Sequence, residues 1–395
     1  MHDGKYCNQA KVNAIKSLET DIDPNSGLPW VTAFEEEFAN KVGDQFAIAM
    51  NSGTSALHAG LLAFGIGPGD EVISPALTVI MDAFATCFVG AVPVFAEVDP
   101  VTWNIDPRQV EALITSKTKA IISVSWLGLS ANLIELKRIA NKYGLYLLDD
   151  SAESLSIDAL QPNDDSKPHM RMFSFESKKH FSTGGEGGML TTDSEILAKN
   201  ARQSAGLGYK HLTAGRGRTS LASRVFQNPE YERFDALGFN YRMTPTTAAI
   251  GLGQLSNLEN LLNGRLVVAQ EFLRVTDSVS WLIPQPTEID GLRHSYYTFA
   301  VRLDIEANSK VTWQAFYDEF TRNGGDGFYA NCKNPYLEPH FLGKRLRNQE
   351  FKPGLCPIAE KLQREIMAFK TNYLDSEKVQ EQSKILQKTI ESFAK

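Results

Sequence analysis

The sequence has little of what would set it apart from ordinary soluble proteins. Its 395 residues include four cysteines, Cys7, Cys87, Cys332 and Cys356. None forms a C-x-x-C pair or has a histidine at metal-ligand spacing, so neither a disulfide framework nor a metal site is expected. Positive charge is in deficit: 40 Lys and Arg stand against 47 Asp and Glu, a net of −7. That balance argues against a nucleic-acid binder held by its overall field. There is no run of about 18 apolar residues of the kind that spans a membrane. The best candidate, residues 80–98, is broken by Asp82, Gly90 and Pro93 and reads as helix, turn and strand. Met1-His2-Asp3-Gly4-Lys5 has no apolar stretch behind it, so no secretory leader is expected. Internal repeats and low-complexity tracts are missing. So is a G-x-G-x-x-G after the first strand, which ranks a dinucleotide-binding protein low. These absences leave a cytoplasmic enzyme acting on a small molecule, with no nucleic acid and no membrane among its partners.

What is present is a regular alternation. Apolar residues make up 43% and charged residues 22%, and the length predicts two or three domains or one large domain with an appendage. Helical patterns fall at residues 31–41, 55–64, 80–89 and 133–143. Short apolar strands fall at 46–50, 71–74, 93–95, 120–124, 145–148, 172–175 and 188–192. Strands of this kind, separated by helices, predict a mostly parallel α/β sheet covered on both faces.

The rhythm changes near residue 200. Residues 202–235 are rich in Gly, Arg and Ser, carry Lys210, His211, Arg216 and Arg218, and read as a long basic insertion loop. Residues 245–275 read as one long helical region. A strand at 297–303 and a final helix at 377–393 complete a smaller α+β domain. The expected division is 1–264 for the large domain and 265–395 for the small one.

Three clusters could carry chemistry. Asn51-Ser52-Gly53-Thr54-Ser55-Ala56-Leu57 joins a strand end to a helix start, where free amides and small hydroxyl residues bind anions. By itself it also reads as an ordinary N-cap by Thr54 or Ser55. Asp149 and Asp150 end an apolar strand, the edge at which open α/β sheets place ligands, with Glu153 three residues on. A helix N-cap or a metal site are the plainer readings, the second disfavoured by the lack of a nearby histidine. Lys178 and Lys179 follow the strand ending Phe173-Ser174-Phe175 and precede a glycine turn, Gly184-Gly185-Glu186-Gly187-Gly188. Either lysine could be an activated amine or part of a solvated basic patch. The order is the informative part. An anion cradle, a strand-end acid and a lysine about thirty residues further on suit a phosphate, a protonated ring nitrogen and an aldehyde. Pyridoxal 5′-phosphate (PLP) carries all three.

With these motifs the chain resembles the DegT/DnrJ/StrS family of PLP-dependent sugar aminotransferases. The resemblance runs from Gly27-Leu28-Pro29-Trp30-Val31 through residues 51–57, 65–73 and 90–95, then 150–153, 173–175 and 186–189, to Gly238-Phe239-Asn240-Tyr241-Arg242-Met243. It implies a fold type I PLP-dependent transferase, with a seven-stranded sheet and an active site shared across a homodimer. It implies that Lys179, six residues after Phe173, binds the cofactor covalently, with Lys178 as runner-up. Asp150 would face the ring nitrogen. Gly53, Thr54, Ser55 and Ser174 would surround the phosphate, joined by Asn240 from the partner subunit. Glu153 would lie near the phenolic oxygen, and Val79 would stand where many members stack an aromatic ring. No metal is implied.

The implied reaction takes an amino group from L-glutamate and gives it to a keto or aldehyde sugar of a bacterial surface polysaccharide. The Lys-His-Phe segment, the long glycine turn and the basic insertion resemble a branch that converts oxidised Kdo (3-deoxy-octulosonate) to the 8-amino-Kdo of lipopolysaccharide. Lys210, Arg216 and Arg218 would then meet an anionic sugar. The alternatives are an aminotransferase for a nucleotide-linked 4-keto-6-deoxyhexose, of the perosamine type, and a non-catalytic regulator of the same fold. A deoxygenating branch carries His in place of the lysine, and here His180 follows Lys179 without replacing it.

Overall fold

A computed structural model describes residues 5–20, 29–155, 167–215, 222–289, 291–308, 311–346 and 349–393. Gly27, Leu28, Arg216 and Arg218 lie outside the described residues.

The apolar runs of the first half form β1 (Phe46–Met50), β2 (Glu71–Pro75), β3 (Val92–Ala96), β4 (Thr118–Val124), β5 (Tyr146–Asp150), β6 (Met170–Ser174) and β7 (Gly188–Thr192). They make one seven-stranded sheet in the order β1-β7-β6-β5-β4-β2-β3. β7 is antiparallel to both neighbours, and the remaining pairs are parallel. The mostly parallel α/β sheet expected from the sequence is therefore the observed one.

Successive strand residues point to opposite faces, and the cores sort accordingly. Val72, Ile122 and Leu148 join one cluster with Leu57 and Leu61 of α3 (Gly53–Ala63) and Ala198 of α7 (Glu195–Ala205). Their neighbours Ile73, Ile121 and Leu147 join another with Leu136 and Ile139 of α6 (Leu133–Tyr143) and Val110 of α5 (Pro107–Leu113). α6 starts at Asn132, whose side chain accepts from Glu135 N, and ends at Gly144 in the left-handed region. A third cluster packs Phe34 and Phe38 of α2 (Pro29–Val42) on Phe173, Phe175 and Phe181. α1 (Asn8–Leu18) lies against α9 (Pro245–Leu255), and α4 (Met81–Phe88) joins β2 to β3.

Two expectations are corrected in the middle of the chain. Residues 245–275 are not one helix: α9 ends where Ser256 Oγ donates to Gly253 O, and α10 (Leu258–Thr276) begins after Asn257. Arg202 does not belong to a loose basic loop. It sits in the last turn of α7, buried, and its guanidinium grips both oxygens of Glu35 at 2.9 and 3.0 Å. Beyond it, α8 (Ser223–Phe226) is a single turn, and Lys210 Nζ pairs with Glu232 at 3.3 Å.

The second sheet is four-stranded and antiparallel, in the order β12-β15-β11-β8, from β8 (Leu282–Pro284), β11 (Thr298–Leu303), β12 (Phe328–Ala330) and β15 (Ile366–Lys370). Two short ribbons flank it, β9 (Glu288–Ile289) with β10 (Leu292–Arg293), and β13 (Arg345–Leu346) with β14 (Gln349–Glu350). α11 (Trp313–Arg322) and α13 (Ser376–Phe393) cover it, and α12 (Pro357–Glu365) leads into β15. α10 serves two cores. Leu258 and Leu262 pack with Phe34 and Phe38, while Val268, Ala269, Phe272 and Val275 pack with the second sheet. Tyr336, Phe341 and Phe351 return to the first sheet and close on Phe95. Among the described residues no helix is long and apolar enough to cross a membrane.

Candidate active site

The site lies at the C-terminal ends of β5 and β6. Asp150, the last residue of β5, stands opposite Val124 of β4 and Met172 of β6, two residues before Ser174. Strand alternation sends Asp149 and Asp150 to opposite faces, and their partners differ accordingly. Asp149 accepts from three hydroxyls: Ser123 at 2.7 Å, Ser125 at 3.5 Å and Ser151. Asp150 Oδ1 accepts from Ala152 N at 2.9 Å. Burial raises the pKa of both carboxyls, and the carboxyl of Asp82 raises that of Asp150 further.

The two candidate lysines diverge. Lys178 is exposed, with its ammonium over the Tyr329 ring at 5.5 Å. Lys179 turns inward, its side chain 15% exposed, with Nζ 3.1 Å from Glu153 Oε1 and 4.7 Å from the centre of the Tyr297 ring. Burial by itself would lower the pKa of this amine. Glu153, Tyr297 and Asp150 outweigh it and hold the amine above the ordinary lysine range. Glu153 is anchored in turn, since Leu127 N donates to its Oε2 at 3.2 Å.

The anion cradle is the N-terminus of α3. Its cap is Ser52, not Thr54 or Ser55: the Ser52 hydroxyl accepts from Ser55 N at 3.1 Å. Ser55 is buried, and its hydroxyl donates to Asn51 Oδ1 at 2.6 Å, whereas Thr54 is half-buried. Gly53 brings this helix start against β6, where an added Cβ would lie 3.0 Å from Ser174 Cβ. Gly188 does the same for β7, because a Cβ there would lie 2.3 Å from Ser52 O. Asn240 is exposed, and its carbonyl accepts from Asn51 Nδ2 at 3.5 Å, which sets it beside the cradle of its own chain. Val79 is half-buried in the turn before α4 and packs on the core of the first sheet.

Arg265, and the contacts that bury His180, left no signal in the sequence reading. Arg265, on α10, is buried and donates to Tyr297 O and Thr371 Oγ1 at 2.8 Å and to Lys179 O at 3.4 Å. Burial lowers its pKa to about 10. His180 is buried, and its Nε2 lies 3.3 Å from Ser295 O. Its pKa is pushed well below the usual range by burial and then by Arg265. These contacts span 32 to 115 residues of sequence, which no local pattern encodes. Asp82 could have been found: an acid within an apolar helical stretch asks for a buried partner.

A sheet of this order, with an acid at the end of one strand and an amine five residues past the next, beside a helix N-terminus, is that of a fold type I PLP-dependent transferase. Known proteins narrow the class. The model of the DegT/DnrJ/EryC1/StrS aminotransferase family matches residues 12–381, and the chain belongs to that family. It is an aminotransferase, and its cofactor is PLP. The GDP-perosamine synthase of Caulobacter vibrioides is 36% identical over 274 residues, 69% of each chain. The spore coat polysaccharide biosynthesis protein SpsC of Bacillus subtilis is 34% identical over 319 residues, 79% of each chain. Among solved structures, an aminotransferase from Psychrobacter cryohalolentis superposes with a TM-score of 0.83 at 24% identity, covering 99% of this chain and 98% of its own.

Proposed function

We propose that this protein moves an amino group from L-glutamate to the carbonyl of a keto or aldehyde sugar built into a cell-surface polysaccharide. The observation that carries the reading is the inward-facing Lys179 amine beside Glu153, across from the buried Asp150. The residues present fit the cofactor. Asp150 is a buried acid whose pKa is raised by burial and by Asp82, and a protonated ring nitrogen at its face would favour its ionised form. The start of α3, with Gly53 against Ser174 and the hydroxyl of Thr54 at its rim, fits the phosphate. When bound, the cofactor supplies an electron sink and a temporary seat for the amino group.

The protein's own groups do the rest. Asp150 holds a negative charge in a dry site and so keeps the ring nitrogen protonated. Lys179 Nζ, in its neutral form, would take the proton from the α-carbon of glutamate and later return one to the carbon of the sugar that receives nitrogen. Glu153 keeps that amine within reach, and Arg265 fixes the backbone that carries it. Glutamate leaves as 2-oxoglutarate, and the sugar leaves with an amine in place of its carbonyl oxygen. Asn240 is exposed beside the cradle, which suits contact with the site of a second subunit in a homodimer.

The relatives named for perosamine and spore-coat polysaccharide synthesis favour a nucleotide-linked 4-keto-6-deoxyhexose as acceptor. Oxidised Kdo is the second acceptor to test. Of the basic residues invoked for it, Lys210 is paired with Glu232. The test is a visible spectrum of the purified protein with PLP, before and after L-glutamate, followed by both acceptors. The expected result is a spectral change with glutamate that one acceptor reverses. A spectrum indifferent to glutamate refutes the donor, and a glutamate-treated enzyme that neither sugar restores refutes both acceptors. Asp150→Asn should lower turnover more than cofactor retention, and unchanged turnover would remove Asp150 from the mechanism.

A further inference from the structure

His169, the residue before β6, takes the place of a strand carbonyl. Its own N–H donates to Leu147 O at 3.0 Å, and Leu147 N donates back to the ring's Nδ1 at 2.9 Å. Leu147 is wholly buried in β5, so its amide needs that acceptor. Tyr146 and Phe64 hold the ring at centroid distances of 5.4 and 6.4 Å. Turning the ring over would set a carbon against Leu147 N. Nδ1 is therefore an acceptor, and the ring carries its proton on Nε2. The same bond excludes the imidazolium, both of whose nitrogens are donors.

That Nε2 lies 3.2 Å from Lys137 Nζ on α6. An ammonium has three donors and no acceptor, so here it would set hydrogen against hydrogen. A neutral amine has a lone pair to receive the Nε2–H. The usual counter-charge is missing. Among the described residues no carboxylate pairs with Lys137, and the positions three and four residues away on its helix are Leu133, Ile134, Ala140 and Asn141. The other two cations of α6 do have carboxylates: Arg138 pairs with Glu135 and Lys142 with Glu111.

We propose that Lys137 is an uncharged amine in the native protein and a modification site, one that takes an acyl group from an acyl phosphate. Nζ attacks the acyl carbon, the C–O bond to phosphate breaks, phosphate leaves with the bonding pair, and the nitrogen gives up one proton to water. Rotation at the end of the lysine stem frees the lone pair for this step; the histidine bond keeps the amine unprotonated beforehand. The amide formed offers its carbonyl oxygen to the same Nε2–H, and no positive charge is lost in making it. Lys137 is half-buried, not sealed. Burial lowers its pKa from the ordinary lysine value, and burial and then Lys137 push His169 down to about 4, so both shifts run toward a neutral pair. Leu147 and His169 lie at the N-terminal ends of β5 and β6, away from Asp150 and Ser174. The acyl group therefore stays out of the candidate active site.

The test exposes PLP-loaded protein to acetyl phosphate and follows each lysine by peptide mass spectrometry. Lys142, charged and on the same helix, is the internal reference. A free lysine keeps roughly one amine in a thousand uncharged at pH 7.5, and each unit by which its pKa falls raises that fraction about tenfold. Lys137 should be acetylated at least about tenfold faster than Lys142, and its rate should level off at lower pH. His169→Asn keeps an acceptor where Nδ1 stood and removes the Nε2–H. Its Lys137 rate should fall to within about threefold of Lys142, with Tm little changed. The inference is overturned if Lys137 reacts no faster than Lys142 in the wild type, if both rates rise in parallel to high pH, or if His169→Asn leaves Lys137 as fast as before. Should that variant fail to fold, the wild-type rates and their pH profiles decide by themselves.

Discussion

Gly188→Ala tests whether the anion cradle depends on how closely α3 approaches β7. A Cβ at position 188 would lie 2.3 Å from Ser52 O, 2.4 Å from Ser52 C and 2.7 Å from Gly53 N. All three are backbone atoms, so no side chain can swing aside to make room. The start of α3 must retreat by about 1 Å to restore ordinary contact. Overpacking of this kind costs about 1–3 kcal/mol. The same retreat pulls the amides of Gly53 and Thr54 off the line to a phosphate. Losing one charge-assisted hydrogen bond there costs about 1.5–3 kcal/mol, or roughly 10–100-fold in affinity. The assay is a titration of stripped protein with PLP, paired with thermal unfolding of the stripped protein. The expected outcome is a dissociation constant raised roughly 10–100-fold and a Tm lowered by about 1–4 °C. Gly67→Ala is the control, because a Cβ there meets nothing within 4 Å and the backbone is not in the left-handed region. If Gly188→Ala matches Gly67→Ala in both affinity and Tm, the close approach does not hold the cradle and the reasoning fails.

Two further outcomes are expected. Lys179→Ala should abolish the glutamate half-reaction, while Lys178→Ala, at an exposed position over Tyr329, should leave it within about threefold, since surface changes move free energies by only a few tenths of a kcal/mol; full turnover in Lys179→Ala would reassign the amine. Stability of the stripped protein should fall as pH drops below 6.5. His294 is buried and its pKa is pushed down to about 3, so the unfolded chain binds its proton first. Between pH 6.5 and 4.5 that residue should cost about 2 kcal/mol, and Tm measured across this range should fall less steeply in His294→Gln.

The sheet was legible in the sequence because its strands are continuous apolar runs, and because Val72-Ile73, Ile121-Ile122 and Leu147-Leu148 each supply both faces. The site was legible where chemistry stays local. Asp150 ends a strand, and Lys179 follows the next one. Resemblance to a family supplied the choice between neighbours that spacing left open, Lys179 over Lys178 and Asp150 over Asp149. α5 was missed although Asp106 caps it and Pro107 begins it, a start signal that stood in plain view. Ser52 was passed over as the cap of α3 because three candidate hydroxyls adjoin, and only the bond from Ser55 N selects one. Arg202 reads as part of a basic loop until Glu35, 167 residues away, is brought beside it. Arg265 and Tyr297 were out of reach for the same reason.

The brace behind Lys179 also dictates when the site can exist. Arg265 holds the Lys179 carbonyl, and Arg265 is itself held by Tyr297 and by Thr371, just past β15. During synthesis the first sheet and both acids leave the ribosome long before Thr371 does. Lys179 is therefore tethered only when nearly the whole chain has emerged and β15 has paired with β11. The final geometry around Lys179 belongs to the finished polypeptide, and a chain stopped short of β15 would carry every residue proposed to contact PLP and still lack the clamp on the Lys179 backbone.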